Sequence, residues 1–322
     1  MPAPLSMEKN PFITRPCTPA RHSAMKAPYA AFLRHNLFAQ TAVFARPTTM
    51  PEQRFRVPER MPYLELRTTI GSSLPYAEHL HTAFSLGAIL FGSTQFRLGE
   101  RAFTAREGDL VLITPGQAHS CNPLAGASRS YHMVFLDPAW MAEHVGGPLF
   151  NGCAVGVKHP VIRDSELFER LLSLIRRICA SHNDEGDALA RLFVAMHTRH
   201  NCLAVSSPAS SGHTALLDDA FAAAMDADNE TPLVKDLARH ARMRRESFSR
   251  SVKRKSGLCP RSRLHSLRLE KGKMLLRKGL SICDAALASG YADQSHFHRM
   301  FVKYCSATPG CYKKSLSHSF KK

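Results

Sequence analysis

The chain has 322 residues, enough for two domains, and its formal charge of +17 is unevenly placed. Residues 231–322 hold 22 lysines and arginines against 5 acidic residues, whereas the preceding residues are neutral on balance. The nine cysteines form no CxxC pair, and no apolar run reaches the roughly 18 residues of a membrane span. We therefore predict a cytoplasmic chain with reduced thiols and no disulfide framework, zinc ribbon or membrane segment.

The first 60 residues are rich in proline, arginine and alanine. Nine prolines interrupt this stretch, so that only residues 30–44 are long enough for a helix. We predict that residues 1–60 are a mostly disordered extension.

Residues 61–140 have a sequence pattern typical of short strands. Apolar segments at residues 63–70, 83–98, 108–114 and 131–136 are separated by glycine, proline, serine and asparagine. This spacing predicts a β-sandwich or a small β-barrel.

Two amphipathic helices are predicted in the segment 141–205, at residues 163–180 and 187–200. The first carries one apolar stripe, made of Leu167, Leu171, Leu174, Ile175 and Ile178. That stripe fits either packing against the core or a dimer interface. The serine-rich residues 206–213 are predicted to be a flexible linker.

Residues 281–312 predict a helix, a tight turn and a second helix. Two apolar runs at helical spacing are separated by Gly290 and Tyr291, and Ser281 and Asp293 are suitable N-caps for the two helices. Thr308 followed by a proline predicts the start of a third short helix. This arrangement is typical of a helix-turn-helix unit.

A weaker copy of this unit lies 48 to 49 residues upstream, with Ala238 at the place of Ala286 and Arg250 at the place of Arg299. Between the two copies, residues 263–278 carry a leucine stripe and predict a connecting helix of about 24 Å. That length would hold two recognition helices about one DNA turn apart. A basic surface is often merely solvated, but its coincidence with two such units favours nucleic acid.

The tandem pattern resembles the DNA-binding domain of the AraC/XylS family of bacterial transcription regulators over residues 216–314. The resemblance rests on Arg268, Leu269, Leu275, Leu276, Ser281, Ile282, Ala286, Gly290, Tyr291, Asp293, Gln294, Ser295, His296, Phe297, Arg299, Phe301, Val302, Lys303, Thr308, Pro309 and Tyr312. Residues 108–120, with His79 and His81, resemble the cupin-like effector-binding domain of the same family. The resemblance implies a two-domain α+β fold: a cupin-like β-barrel at 61–140, trailing helices that include a possible dimerisation surface, and an all-α tandem helix-turn-helix domain at 214–316.

Four positions depart from the family pattern. Arg242 replaces a turn glycine, Arg244 a capping serine, Gly272 an alanine, and Ser306 a glycine. The changes at Arg242 and Gly272 are each predicted to cost about 1 kcal/mol of folding free energy. We therefore expect the first helix-turn-helix unit to be looser than the second.

The resemblance also implies which side chains face DNA. The base-reading positions are Glu246, Ser249 and Arg250 in the first unit and Ser295, His296 and Arg299 in the second, and Arg245, Gln294 and His298 flank them. The two arginines are the stronger candidates, because a guanidinium reads guanine through two hydrogen bonds.

His79, His81 and His119 are the candidate effector-binding residues. Three histidines on neighbouring strands suggest a metal site, but the stretch that follows His81, residues 82–86, lacks the carboxylate that metal-binding cupins add there. Structural histidines are a further alternative. We therefore expect effector contacts, with no metal and no cofactor.

The sequence contains no GxSxG, Walker, HExxH or Rossmann glycine pattern, so no enzyme is predicted. The resemblance implies a sequence-specific regulator, expected to be an activator that responds to a small molecule. Its implied partners are double-stranded DNA, the effector, RNA polymerase and a second copy of the chain. A cupin enzyme fused to a DNA-binding module and an effector-independent regulator are the alternatives.

Overall fold

The computed structural model describes residues 51–124, 127–180, 184–205, 212–226 and 232–317. The helix predicted at 30–44 and most of the predicted linker lie outside these residues. In the described part, none of the helices combines the length and the apolar character of a membrane span. The eight cysteines there are free thiols.

The N-terminal half is built from two antiparallel sheets. Its strands are β1 (Glu52–Arg56), β2 (Leu64–Ser72), β3 (Phe84–Phe91), β4 (Ser93–Leu98), β5 (Arg101–Arg106), β6 (Asp109–Ile113), β7 (His119–Pro123), β8 (Arg129–Leu136), β9 (Val155–Val157), β10 (Val161–Arg163) and β11 (Leu203–Val205). The larger sheet has the order β1-β2-β8-β3-β6-β10, and the smaller has the order β5-β4-β7. Strands β9 and β11 form a separate short pair.

The β-rich N-terminal domain is confirmed, but its sheets are not closed into the β-barrel that the resemblance implied. The apolar segment 83–98 is broken at Gly92, whose φ of 76° directs the chain from the large sheet to the small one. A side chain is excluded at this position, since a Cβ would lie 2.4 Å from the carbonyl oxygen of Ser128. Strands β1 and β10 remain at the outer edges of the large sheet.

Strand β1 lies inside the segment predicted to be a disordered extension. Its residues pair with β2 from Glu52 opposite Ile70 to Arg56 opposite Leu66. Proline on either side of this short stretch bounds the strand rather than disrupting it, and Phe55 is buried. Residues 52–56 therefore form a strand where the sequence predicted part of a disordered extension.

Helical elements follow the strands and cover the large sheet. They comprise α1 (Pro138–Met141), one π-helical turn at Ala142–Gly146, α2 (Gly147–Phe150), α3 (Ser165–Ala180) and α4 (Gly186–His200). The two predicted helices of this segment are present, and the apolar stripe on α3 is buried within the chain. That stripe is used for core packing, so a dimer would need another surface.

The C-terminal half is helical, as predicted. It contains α5 (Gly212–Asp226), α6 (Val234–His240), α7 (Arg245–Ser256), α8 (Pro260–Arg277), α9 (Ile282–Ala288), α10 (Gln294–Cys305) and α11 (Pro309–Ser317). Helices α6 and α7 form the first helix-turn-helix unit, and α9 and α10 form the second. The connecting helix α8 is 18 residues long, or about 27 Å. It contributes Leu264 to the core of the first unit and Leu269 to the core of the second.

The N-caps of the second helices differ between the two units, which bears on the expectation that the first unit is looser. Ser281 and Asp293 cap α9 and α10 by accepting hydrogen bonds from the N–H groups of Asp284 and His296, at 3.0 and 2.6 Å. In the first unit Arg244 occupies the N-cap of α7 without a side-chain hydrogen bond, and Arg242 has a φ of 54° in the turn. Both features cost free energy in the first unit, while in the second unit Ser306, at the C-cap of α10, is likewise a non-glycine residue with a positive φ of 49°.

Gly272 has a packing role that the sequence did not suggest. A Cβ at this position would lie 2.7 Å from the Phe297 ring and 3.3 Å from the Ser289 hydroxyl. Glycine therefore lets α8 approach the second unit closely, which offsets its low helix propensity.

Candidate functional site

The predicted DNA-contacting residues lie on α7 and α10. Most are exposed, namely Arg245, Glu246, Arg250, Gln294, Ser295, His298 and Arg299. The core of each unit holds the opposite face of its helix through Phe248 and Val252, or Phe297 and Phe301. The second helix of each unit therefore presents a polar face to the solvent, while its opposite face packs against the core of the unit. This arrangement suits insertion into a major groove.

Ser249 and His296 are half-buried rather than fully exposed. The His296 ring lies 5.2 Å from that of Tyr291 and 6.0 Å from that of His265, between centroids. These aromatic contacts restrict how far the imidazole reaches from the surface. Among the predicted base-reading residues, Arg250 and Arg299 have the longest exposed side chains.

His79, His81 and His119 meet at one end of the N-terminal domain. His79 and His119 form an isolated antiparallel bridge with backbone N–H to carbonyl distances of 3.0 and 2.8 Å. One ring nitrogen from each of the three histidines lies within 4.8 Å of the others. The sequence-based grouping of these residues is therefore spatially correct.

Burial keeps the three imidazoles neutral. It lowers the pKa of His79 and His119 to about 3 and that of His81 to about 4, helped at His79 by the neighbouring His81. Neutral imidazoles have a lone pair available for a ligand.

A cavity of about 50 Å³ opens beside the histidines. Its apolar lining comprises Ile89, Val111, Ile113, Met133 and Phe135, and its polar lining includes Arg67, Tyr76, Thr94, Arg129 and Tyr131. The sequence did not single out the two arginines, because isolated basic residues within strands give no recognisable pattern. This volume accommodates a few water molecules or a small ligand.

Arg129 is the unusual residue of this cavity. It is 1 % exposed, and its Nη1 donates to the Thr94 hydroxyl at 2.9 Å, while Nε and Nη2 have no hydrogen-bond partner. Among the described residues no carboxylate lies within ion-pair distance of Arg129 or of the neighbouring Arg67. Two buried guanidinium groups without an acidic partner favour an anionic ligand.

A buried ion-pair network joins the N-terminal domain, which contains the cavity, to the connecting helix α8. Glu65 on β2 is 2 % exposed and contacts Lys273 at 3.2 Å, Arg277 at 2.5 Å and the Tyr312 hydroxyl at 2.7 Å. Burial alone would raise the pKa of Glu65, but the two cations and the hydroxyl hold it below its usual value.

The same helix reaches the histidines. Glu270 on α8 accepts a hydrogen bond from His81 Nδ1 at 3.2 Å and contacts Lys273 at 3.6 Å. The sequence did not predict this contact, because His81 and Glu270 are 189 positions apart. The histidine cluster is therefore in direct contact with the helix that connects the two helix-turn-helix units.

Comparison with protein families divides the chain in the same way. The model of the AraC-like ligand binding domain matches residues 62–196, and that of a helix-turn-helix domain matches residues 237–315.

Two curated relatives and one solved structure agree with this division. The uncharacterized HTH-type transcriptional regulator YbfI of Bacillus subtilis is 25 % identical over 232 residues, which cover 70 % of this chain and 82 % of the relative. The RCS-specific HTH-type transcriptional activator RclR of Escherichia coli is 38 % identical over 84 residues, 26 % of this chain and 30 % of the relative. ToxT from Vibrio cholerae shares the fold with a TM-score of 0.55 at 12 % identity, covering 79 % of this chain and 99 % of ToxT. The chain belongs to the AraC/XylS family of transcription regulators, with an effector-binding domain ahead of a tandem helix-turn-helix domain.

Proposed function

We propose that the protein is a transcription activator that reads two adjacent segments of one DNA face with α7 and α10. The observation that carries this proposal is the equivalent, exposed position of Arg250 and Arg299 on two helices held by one rigid connecting helix. Each arginine lies two positions before a buried core residue, Val252 or Phe301. Both guanidinium groups would then meet base edges in successive major grooves.

Replacing Arg250 or Arg299 with alanine is expected to weaken binding to the operator by about 1 to 3 kcal/mol each. Binding to random duplex DNA should change much less, because the lost hydrogen bonds go to base edges. The operator would first be located by footprinting with the full chain, and affinities would then be measured by fluorescence anisotropy at one fixed salt concentration.

Lys253→Ala is the matched control for this experiment. Lys253 is exposed on the same helix as Arg250 but lies on its last turns, where a phosphate contact is expected. Its removal should weaken operator and random DNA equally. Equal losses for the two arginine variants would show that they also contact phosphates, and would contradict the assignment of base-reading roles.

The effector is proposed to be a small organic molecule with an anionic group, bound in the cavity beside His79, His81 and His119. The unpartnered nitrogens of Arg129 support the anionic group, and the apolar lining supports a short hydrocarbon part. ToxT, which has the same fold, has been solved with an unsaturated fatty acid bound. A larger chain would require the cavity to expand.

Small carboxylic acids are expected to raise the melting temperature of the full chain, whereas the corresponding primary amides are not. The Arg129→Met variant should lose most of this difference, because it removes the buried charge while keeping the volume similar. Arg97→Met, which changes an exposed arginine of the same domain, is the control and should keep the response. Equal shifts from acids and amides in the unmodified chain would contradict an anionic effector.

Two further partners, RNA polymerase and a second copy of the chain, are proposed because the protein is proposed to be an activator. An activator has to contact RNA polymerase, and a second copy of the chain would multiply the DNA contacts. Because the α3 stripe is buried, a dimer would use the exposed sides of α3 and α4. We propose that the protein acts in the cytoplasm, where its DNA lies, and has no enzymatic activity of its own.

A further inference from the structure

The outer nitrogens of the three clustered histidines are all held by hydrogen-bond acceptors. His79 Nδ1 lies 2.7 Å from the Ala77 carbonyl oxygen, and His119 Nδ1 lies 2.9 Å from that of Gln117. His81 Nδ1 lies 3.2 Å from the carboxylate of Glu270. A carbonyl and an ionised carboxylate only accept hydrogen bonds, so each Nδ1 has to carry the proton.

It follows that the three Nε2 atoms carry lone pairs. The Nε2 atoms of His79 and His81 are 3.2 Å apart, and His119 completes the cluster within 4.8 Å. Two lone pairs at this distance repel each other. A cation bound between the rings would relieve this repulsion.

The 3.2 Å between the Nε2 atoms of His79 and His81 is close to the spacing of two ligands in a metal centre. Zinc bound by imidazole nitrogens at about 2.0 to 2.1 Å in tetrahedral geometry places those nitrogens about 3.4 Å apart. We propose that His79, His81 and His119 bind a divalent first-row transition metal through Nε2, with zinc the ion that fits the donor set best. Three neutral nitrogen ligands leave a fourth position for water or for an anionic group of a bound molecule.

Glu270 places a carboxylate against His81 Nδ1, outside the three proposed ligands. The prediction of a metal-free pocket rested on the absence of an acidic residue soon after His81, but the acidic residue comes from α8. Its position behind His81 is that of an outer partner that orients a metal-bound histidine. If the proposed regulatory function holds, the metal would also link the N-terminal effector-binding domain (called the sensor domain below) to α8, the helix that connects the two helix-turn-helix units.

The test is elemental analysis of the full chain, expressed without a histidine tag, loaded with zinc and then dialysed. One equivalent of zinc is expected in the unmodified chain and a loss of most of it in His81→Asn and His119→Asn. His132→Asn is the control, because His132 is a buried histidine of the same domain that hydrogen-bonds Thr68 outside the cluster. Circular dichroism of the chelator-treated chain and of each variant shows whether the fold is kept.

Glu270→Gln separates the ligands from the orienting residue. It should retain one equivalent of metal but bind it about 10 to 100 times more weakly in competition with a chromophoric chelator. Cobalt substitution should give the visible absorption of a tetrahedral site, again lost in His81→Asn. The proposal is overturned if the folded, unmodified chain retains no metal. It is also overturned if the unmodified chain and folded His81→Asn retain equal amounts, which would indicate an adventitious ion only. DNA affinity plays no part in this readout, so failure of the regulatory proposal leaves the metal result interpretable.

Discussion

Replacing Glu65 with alanine is expected to destabilise the folded chain by about 3 to 5 kcal/mol. The carboxylate is buried and accepts from Arg277 and Tyr312 while pairing with Lys273, which is itself 4 % exposed. Its removal leaves the buried Lys273 with Glu270 at 3.6 Å and takes the carboxylate partner from the partly buried Arg277. Urea unfolding, followed by circular dichroism, measures the change.

Two comparisons make this prediction specific. Glu52→Ala breaks a surface pair with Arg54 and should cost less than about 1 kcal/mol. The double variant Glu65→Leu with Lys273→Met should recover much of the loss, because it removes charges of both signs from the interface. A midpoint for Glu65→Ala that equals the midpoint for Glu52→Ala would show that the network contributes no net stability.

The affinity of the full chain for its operator is expected to fall about 10³- to 10⁵-fold between 50 and 200 mM salt, if six to ten phosphates are contacted. The exposed basic residues are concentrated in the first unit, where α7 alone presents Arg245, Arg250, Lys253 and Arg254. In α10 only Arg299 and Lys303 among its described residues are both basic and exposed. The first unit should therefore provide most of the salt dependence.

Removing Lys253 and Arg254 together should reduce the slope of log affinity against log salt by about 2. Lys158→Ala, which removes an exposed cation from the sensor domain, should leave the slope unchanged. The measurement is a series of anisotropy titrations at four salt concentrations. A slope near zero for the unmodified chain would contradict a mainly electrostatic DNA interface.

The helical half was readily predicted because its signals are local. Periodic apolar residues define each helix, and caps such as Ser281 and Asp293 mark where helices start. Strands β1, β5 and β7 were missed for the opposite reason. The segment from Arg101 to Arg106 is half polar and does not alternate, and it is stabilised by pairing with β4, a partner that its own residues do not specify.

The residues of the candidate site show the same difference between local and long-range signals. The His79 and His81 pair was visible in the sequence because the motif spans three residues, and the exposed arginines followed from the helical pattern. Glu270, Arg67 and Arg129 were not visible, since their roles depend on which distant elements pack together. The carboxylate that contacts His81 comes from a distant part of the chain, which the local sequence does not show.

Phe55 and Glu65 belong by chain order to the sensor domain, but they pack into the second helix-turn-helix unit. The Phe55 ring meets that of Tyr312 at 4.9 Å, and both lie in the core with Phe301 and Leu269. Hybrid regulators made by joining one protein's sensor to another's DNA-binding domain in the linker region would break this shared core. In this protein the exchangeable module is discontinuous, and a working hybrid would have to carry matching residues of β1 and β2 with the DNA-binding domain it receives.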